Sequence, residues 1–238
     1  FGAQALVCQH IGAAFPYDVI VAEEDSTVLR ENSAHLTNVT RFVRAQHADA
    51  SDDQVCQWID RGNGEPGQRF WVLDPIDGTK GFLRHDQYAI ALALIEGGEV
   101  QYGFLACPAL SYEDGAGVVF VAQRGQGTEM FTLDGDSLGF ITVSRVSDPR
   151  HARLAESVES AHTNYGLSAQ LQEKLGIVVE PVRMDSQAKY AAVARGQADV
   201  YLRAPNDRTP DYRECIWDHA AGWLVVTEAG GAVTDVYG

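Results

Sequence analysis

Six consecutive residues, Asp74-Pro75-Ile76-Asp77-Gly78-Thr79, set two carboxylates three positions apart behind a strand-like run, Arg69-Phe70-Trp71-Val72-Leu73. Pro75 fixes its own φ and holds Asp74 extended. A turn after it lets Asp74 and Asp77 address one point, and Gly78 lets the backbone come close to a ligand. A helix or turn opening at Thr79 would offer its N–H groups to a phosphate oxygen. Hard oxygen ligands of this kind suit Mg²⁺ better than zinc. The same six residues equally describe an Asx-turn, with the Asp side chains capping their own backbone. Glu23-Glu24-Asp25 closes another apolar run, and Asp218 precedes the apolar stretch Ala220-Ala221-Gly222. Alone, these read as a solvated acidic loop and an N-cap. Together, three acidic clusters at element ends favour a shared cation site. His162 and His219 have no Ser or Cys nucleophile at a recognisable spacing and read as structural histidines. No GxSxG elbow, Walker loop or GxGxxG fingerprint occurs.

The elements that must carry these residues follow from periodicity. Residues 1–15 have helical apolar spacing, Val19-Ile20-Val21-Ala22 predicts a buried strand, and 33–60 predicts two helices, the second opened by Asp52-Asp53. Arg69–Leu73 predicts a strand stopped by Asp74-Pro75. A hairpin follows, Tyr88–Leu94 and Val100–Leu105 around Glu96-Gly97-Gly98-Glu99, and then strands at Gly117–Ala122 and Glu129–Thr132. This part reads as helices on an antiparallel sheet. From about Asp148 helix and strand alternate: helices near 167–175, 187–195 and 216–228, strands at Ile177-Val178-Val179, Ala198–Leu202 and Ala232-Val233. The change of pattern divides the chain into residues 1–147, an α+β half carrying the metal site, and 148–238, an α/β half completing the substrate pocket.

Composition sets the outer limits. The 238 residues are 45% apolar and 21% charged, which suits one large domain or two small ones. No apolar run approaches the ~20 residues of a membrane-spanning helix, and the opening Phe1-Gly2-Ala3-Gln4 is no basic-then-apolar leader. A net charge of −15 argues against a nucleic-acid polymer or an anionic membrane as partner. It does not exclude a small anion, because bound cations invert local charge. Only three lysines occur, Lys80, Lys174 and Lys189. Cys8, Cys56, Cys107 and Cys215 form no CxxC pair and read as idle thiols of a reducing compartment, with a regulatory disulfide as the alternative. A soluble intracellular setting is expected, cytoplasmic, or an organelle if a leader precedes Phe1.

The clusters together resemble the lithium-sensitive, magnesium-dependent phosphomonoesterase superfamily of inositol monophosphatase, fructose-1,6-bisphosphatase and the 3'(2'),5'-bisphosphate nucleotidases. Glu23-Glu24, Asp74 to Thr79, Trp217-Asp218 and Glu228-Ala229-Gly230-Gly231 carry the likeness in order. Asp185-Ser186-Gln187-Ala188-Lys189-Tyr190, Val193-Ala194-Arg195-Gly196, Tyr201-Leu202-Arg203, Trp71 to Phe82 and Ile216 to Gly222 are similar to the bisphosphate nucleotidases in particular.

The resemblance implies an α+β / α/β layered sandwich, sugar-phosphatase-like, with alternating α-β-α-β-α layers. It implies two or three Mg²⁺ ions. Glu23, Asp74 and the Ile76 carbonyl would hold one, and Asp74, Asp77 and Asp218 a second. Thr79, with Asp77, would be catalytic, orienting the attacking water, and the Gly78 and Thr79 amides would hold phosphate oxygens. Asp218 would also meet substrate. Ser186 and Lys189 would hold the phosphate that is not cleaved, and His162, after Glu156-Ser157-Val158-Glu159, would lie by the adenine. The implied reaction turns adenosine 3',5'-bisphosphate, or its sulfated form, into the 5'-nucleotide and phosphate. The partner is a small nucleotide bisphosphate, and the chain a monomer or weak homodimer. The resemblance also places an Asp just before the first helix and further residues after Gly238, so the sequence reads as a fragment. An inositol phosphate phosphatase on the same scaffold, and a non-catalytic nucleotide and metal sensor, remain open.

Overall fold

The computed structural model describes residues 1–113, 115–158, 165–203, 213–235 and 237–238. The first part runs α1 (Gly2–Ala14), β1 (Val19–Ala22), α2 (Thr27–Glu31), α3 (Ser33–Val43), α4 (Asp52–Asp60), β2 (Arg69–Asp77), α5 (Thr79–Leu83), β3 (Ala89–Glu96), β4 (Glu99–Tyr112), β5 (Gly115–Gln123), β6 (Gly127–Thr132) and β7 (Ser137–Ile141). The second runs β8 (Leu154–Glu156), α6 (Tyr165–Leu175), β9 (Val182–Arg183), α7 (Ala188–Ala194), β10 (Val200–Tyr201), a 3₁₀ turn at Ile216–Asp218 and α8 (Ala220–Glu228). None of the helices among the described residues is long and apolar enough to cross a membrane.

Strands β1 to β7 form one sheet in sequence order, with β1–β2 parallel and the other pairs antiparallel. A three-stranded parallel sheet has the order β10-β8-β9. Strand β3 shows how one sequence serves two layers. Ala89, Ala91, Ala93 and Ile95 face a core shared with α7 and α8. Ile90, Leu92 and Leu94 face the layer of α1, with Cys8, Ile11, Trp71 and Leu73. Small residues let the layers close: a Cβ on Gly103 would stand 2.9 Å from the Ala221 carbonyl oxygen. Helix α7 packs on β8 and β10, and α6 shares a cavity wall with β8 and β9. The layering is the expected alternation of helix and sheet.

Several boundaries differ from the sequence reading. Strand β2 does not stop at Asp74-Pro75 but continues to Asp77, because Pro75 falls where the pairing with β3 slips between Asp74 and Asp77. A missing N–H costs no ladder bond at such a bulge. The large sheet is mixed, since β1 joins it in parallel. Ile177-Val178-Val179 is not a strand: Val178 is 78% exposed, and β9 forms later, at Val182–Arg183. Ala232-Val233 is irregular too, though Val233 still packs against the core. Helix α2 and strands β7 and β8 were not expected. β7 hides because Gly139 breaks its alternation and Phe140 faces out, 70% exposed.

Candidate active site

The carboxylates are brought together by pairing register. In the parallel β1–β2 pair Ala22 lies opposite Leu73, and the Glu23 N–H donates to the Leu73 carbonyl at 3.3 Å. Glu23 therefore leaves β1 beside Asp74. Buried Gln4 pins this turn, accepting from the Glu24 N–H at 3.1 Å and donating to the Ile59 carbonyl at 3.0 Å. Asp74, 2% exposed, accepts the Ile76 N–H at 3.1 Å. The Asx-turn is thus present, within the same acidic cluster. Gly78 takes a left-handed φ of 81° and opens α5. Thr79 Oγ1 donates to the Ile76 carbonyl at 3.3 Å. Asp218 closes its 3₁₀ turn by accepting the Cys215 N–H at 2.6 Å; it does not cap α8 as expected, whose N-cap is His219 with no side-chain bond.

The loop between β9 and α7 supplies the opposing side. Ser186 is left-handed, with φ 70°, and its Oγ accepts the Ala188 N–H at 3.1 Å. Lys189 is buried, donates to the Ser186 carbonyl at 2.8 Å and lies 5.2 Å from the Tyr201 ring centre. The Gln187 N–H donates to Asp77 Oδ2 at 2.5 Å, joining the two sides.

One cavity of about 300 Å³ collects Glu23, Asp74, Ile76, Asp77, Gly78, Thr79, Ser186, Lys189 and Asp218. Every proposed site residue except His162 is therefore in its wall, and His162 lies outside the described residues. Arg203 and Glu214 line it as well, and form an ion pair. So does His219, whose Nε2 stands 2.7 Å from Glu214 and whose Nδ1 stands 2.9 Å from the Tyr190 hydroxyl. His219 is thus hydrogen-bonded in place as a structural histidine would be, but in the pocket wall. Arg203 enters the sequence only as part of a similar segment. Its one local signal is an arginine just beyond a short apolar strand.

The electrostatics of the two sides are opposite. Burial, then the charges of Asp77 and Glu23, push Asp74 up to about 10. Burial also raises Asp77, Glu23 and Asp218, although the Gln187 and Cys215 N–H groups partly offset this for Asp77 and Asp218. Burial lowers Lys189 to about 8 against the pull of Asp77. Burial alone would raise Glu214, but the His219 hydrogen bond and Arg203 outweigh it and hold it below the usual range. Among the described residues no three His, Cys, Asp or Glu side chains form a closed metal cage. Asp77 and Asp218 are turned onto backbone N–H groups instead. The donor set still fits a hard cation. Four carboxylates and a carbonyl line one pocket wall, and their mutual repulsion calls for positive charge. All four cysteines are free thiols, and burial pushes Cys8 and Cys107 up to about 12.

The inositol monophosphatase family matches residues 2–238. A 3'(2'),5'-bisphosphate nucleotidase of Emericella nidulans is 42% identical over 271 residues, covering 100% of this chain and 76% of that protein. Its counterpart in Oryza sativa is 45% identical over 263 residues, covering 100% and 73%. Among solved structures, a Thermotoga maritima IMPase superposes with a TM-score of 0.64 at 23% identity, covering 98% of this chain and 68% of that one. The chain belongs to the inositol monophosphatase family.

Proposed function

We propose that the chain is a phosphomonoesterase that removes the 3'-phosphate of adenosine 3',5'-bisphosphate, giving AMP and phosphate, and that treats the sulfated nucleotide in the same way. The observation that carries this reading is one pocket with a carboxylate side and, across from it, Ser186, buried Lys189 and Arg203, the last paired with Glu214. A monophosphate needs only the first. Relatives at 42% and 45% identity bear the bisphosphate nucleotidase name, which favours a nucleotide over an inositol phosphate.

Glu23, Asp74, Asp77, Asp218 and the Ile76 carbonyl would hold Mg²⁺, two or three ions. When bound, Mg²⁺ neutralises charge on the transferring phosphoryl group and makes water easier to deprotonate. Thr79 donates to the Ile76 carbonyl, so its lone pairs are left to accept a hydrogen bond from water and orient it. The Gly78 and Thr79 amides steady phosphate oxygens. Water attacks phosphorus in line, the bond to the ribose 3'-oxygen breaks, and one of the water's protons ends on that oxygen while the other stays on the released phosphate. Ser186, Lys189 and Arg203 hold the 5'-phosphate, and His162 lies by the adenine. In this reading residues 1–147 supply most of the carboxylates and 148–238 complete the pocket. The setting is soluble and intracellular, and the chain a monomer or weak homodimer.

Phosphate release from adenosine 3',5'-bisphosphate, inositol 1-phosphate and inositol 1,4-bisphosphate, with Mg²⁺ and with EDTA, tests the reading. Mg²⁺-dependent release strongest with the nucleotide is expected. Preference for an inositol phosphate would overturn the substrate, and equal release in EDTA would overturn the metal.

A further inference from the structure

One segment from each side of the pocket, residues 77–84 and 185–189, interlocks with the other at four places. Gly78 and Ser186 are both left-handed, and a Cβ on Gly78 would stand 2.7 Å from the Ser186 Cβ. The Gln187 N–H reaches Asp77 at 2.5 Å. A Cβ on Gly81 would stand 3.3 Å from Asp185 Cβ and 2.1 Å from the Gln87 carbonyl oxygen. Outermost, Arg84 at the C-cap of α5 forms an ion pair with Asp185. Asp185 is 3% exposed and directly precedes Ser186. Left-handed φ is strained for a residue with a side chain, so Ser186 stays there only while its surroundings hold it. The ion pair joins two charged side chains across this junction, and its carboxylate is shielded from water.

We propose that Arg84 and Asp185 are positioning residues. Their ion pair fixes the spacing between the carboxylate side and Ser186–Lys189, and thereby sets how strongly the chain favours a bisphosphate over a monophosphate. The proposal rests on the two-phosphate reading above. A small misplacement of a binding group is costly when two groups on one rigid substrate must be met at once. A monophosphate engages one side only and does not sense the spacing.

The charges of the pair give the test its sign. If the pair acted only through its field, Arg84→Met would weaken and Asp185→Asn would strengthen binding of every phosphate ester. Positioning predicts the same direction for both. Each raises KM for adenosine 3',5'-bisphosphate about tenfold, the scale of one charge-assisted contact, and leaves KM for adenosine 3'-monophosphate within about twofold. The double variant is no worse than the worse single one, as expected for partners in one interaction. Arg84→Lys, which keeps the charge, recovers part of the preference. If Asp185→Asn fails to fold, Arg84→Met against Arg84→Lys carries the comparison, since Arg84 is on the water side of the pair. Opposite shifts for Arg84→Met and Asp185→Asn, equal shifts for the two substrates, or no recovery in Arg84→Lys would overturn the proposal. Lys189→Met separates the two levels. If it leaves the bisphosphate preference intact, the two-phosphate reading itself falls, and this proposal with it. If it abolishes the preference while the Arg84 variants keep it, only the positioning role falls.

Discussion

On one side of the pocket four carboxylates crowd together, and Asp74 is pushed up to about 10. On the other, Lys189 is buried among backbone carbonyls and pushed down to about 8. On both sides the surroundings resist charge, but they resist it differently. The carboxylates repel one another, so that side needs cations. Lys189 suffers mainly from lost water, which Asp77 offsets only in part, so that side can accept an anion. A substrate with two phosphates, arriving with divalent ions, suits both sides. The difference teaches how a protein with a net charge of −15 could bind a polyanion: the field is set locally, by burial and by any cations the carboxylates hold.

The comparison breaks hardest at Asp74. Asp74→Asn should cut phosphate release about 10³-fold, the upper range for losing one charge-stabilising group. Without metal it should have the opposite effect on stability. Folded Asp74 keeps its proton while the unfolded chain releases it above the ordinary carboxylate value. Stability in EDTA therefore falls as pH rises from about 4 toward 10. Asp74→Asn should flatten that slope in urea denaturation, and an unchanged slope would remove Asp74 as its source. Next in size, Lys189→Met should raise KM for the bisphosphate by ~10- to 100-fold, or about 1.5–3 kcal/mol. The monophosphate should be spared.

A substitution at the junction ranks third. Gly78→Ala forces a side chain into a left-handed residue beside Ser186. It should cost about 1–2 kcal/mol of stability from conformation alone, with further loss from the contact, measured by chemical denaturation. The smallest effect is a pH profile. Lys189 carries its charge below about 8, so KM for the bisphosphate should rise as pH climbs through that value, by a factor of a few per unit. KM for the monophosphate should stay level. A parallel rise for both substrates would move the titration to another group.

The carboxylate side was legible because each of its three acidic clusters sits at the end of a clear element. Asp74 to Thr79 are contiguous, and the strands that carry Glu23 and Asp74 have clear apolar runs. The meaning of the run was less legible: the chain continues through Pro75 as a bulged strand, where proline alone reads as a stop. The basic side was legible only through likeness. Lys189 on a helix of seven residues has no periodicity to mark it as buried. Arg203, Glu214 and Asp185 come from separate segments and meet only through folding. Arg84 gave no signal at all, since a basic residue ending a short helix is ordinary. His162 falls in the segment outside the described residues. The weak elements failed for different reasons: Ile177-Val178-Val179, with Val178 exposed, carries the same letters as a buried strand, whereas in β7 Gly139 breaks the alternation that would have marked it.

The measurement that most directly tests the two-sided pocket is kcat/KM for adenosine 3',5'-bisphosphate against adenosine 3'-monophosphate, at pH 7 with Mg²⁺. A preference of about tenfold or more for the bisphosphate is predicted, from one charge-assisted contact to the second phosphate. Equal values for the two would mean that the second phosphate is not read, and would contradict the assignment of Ser186, Lys189 and Arg203.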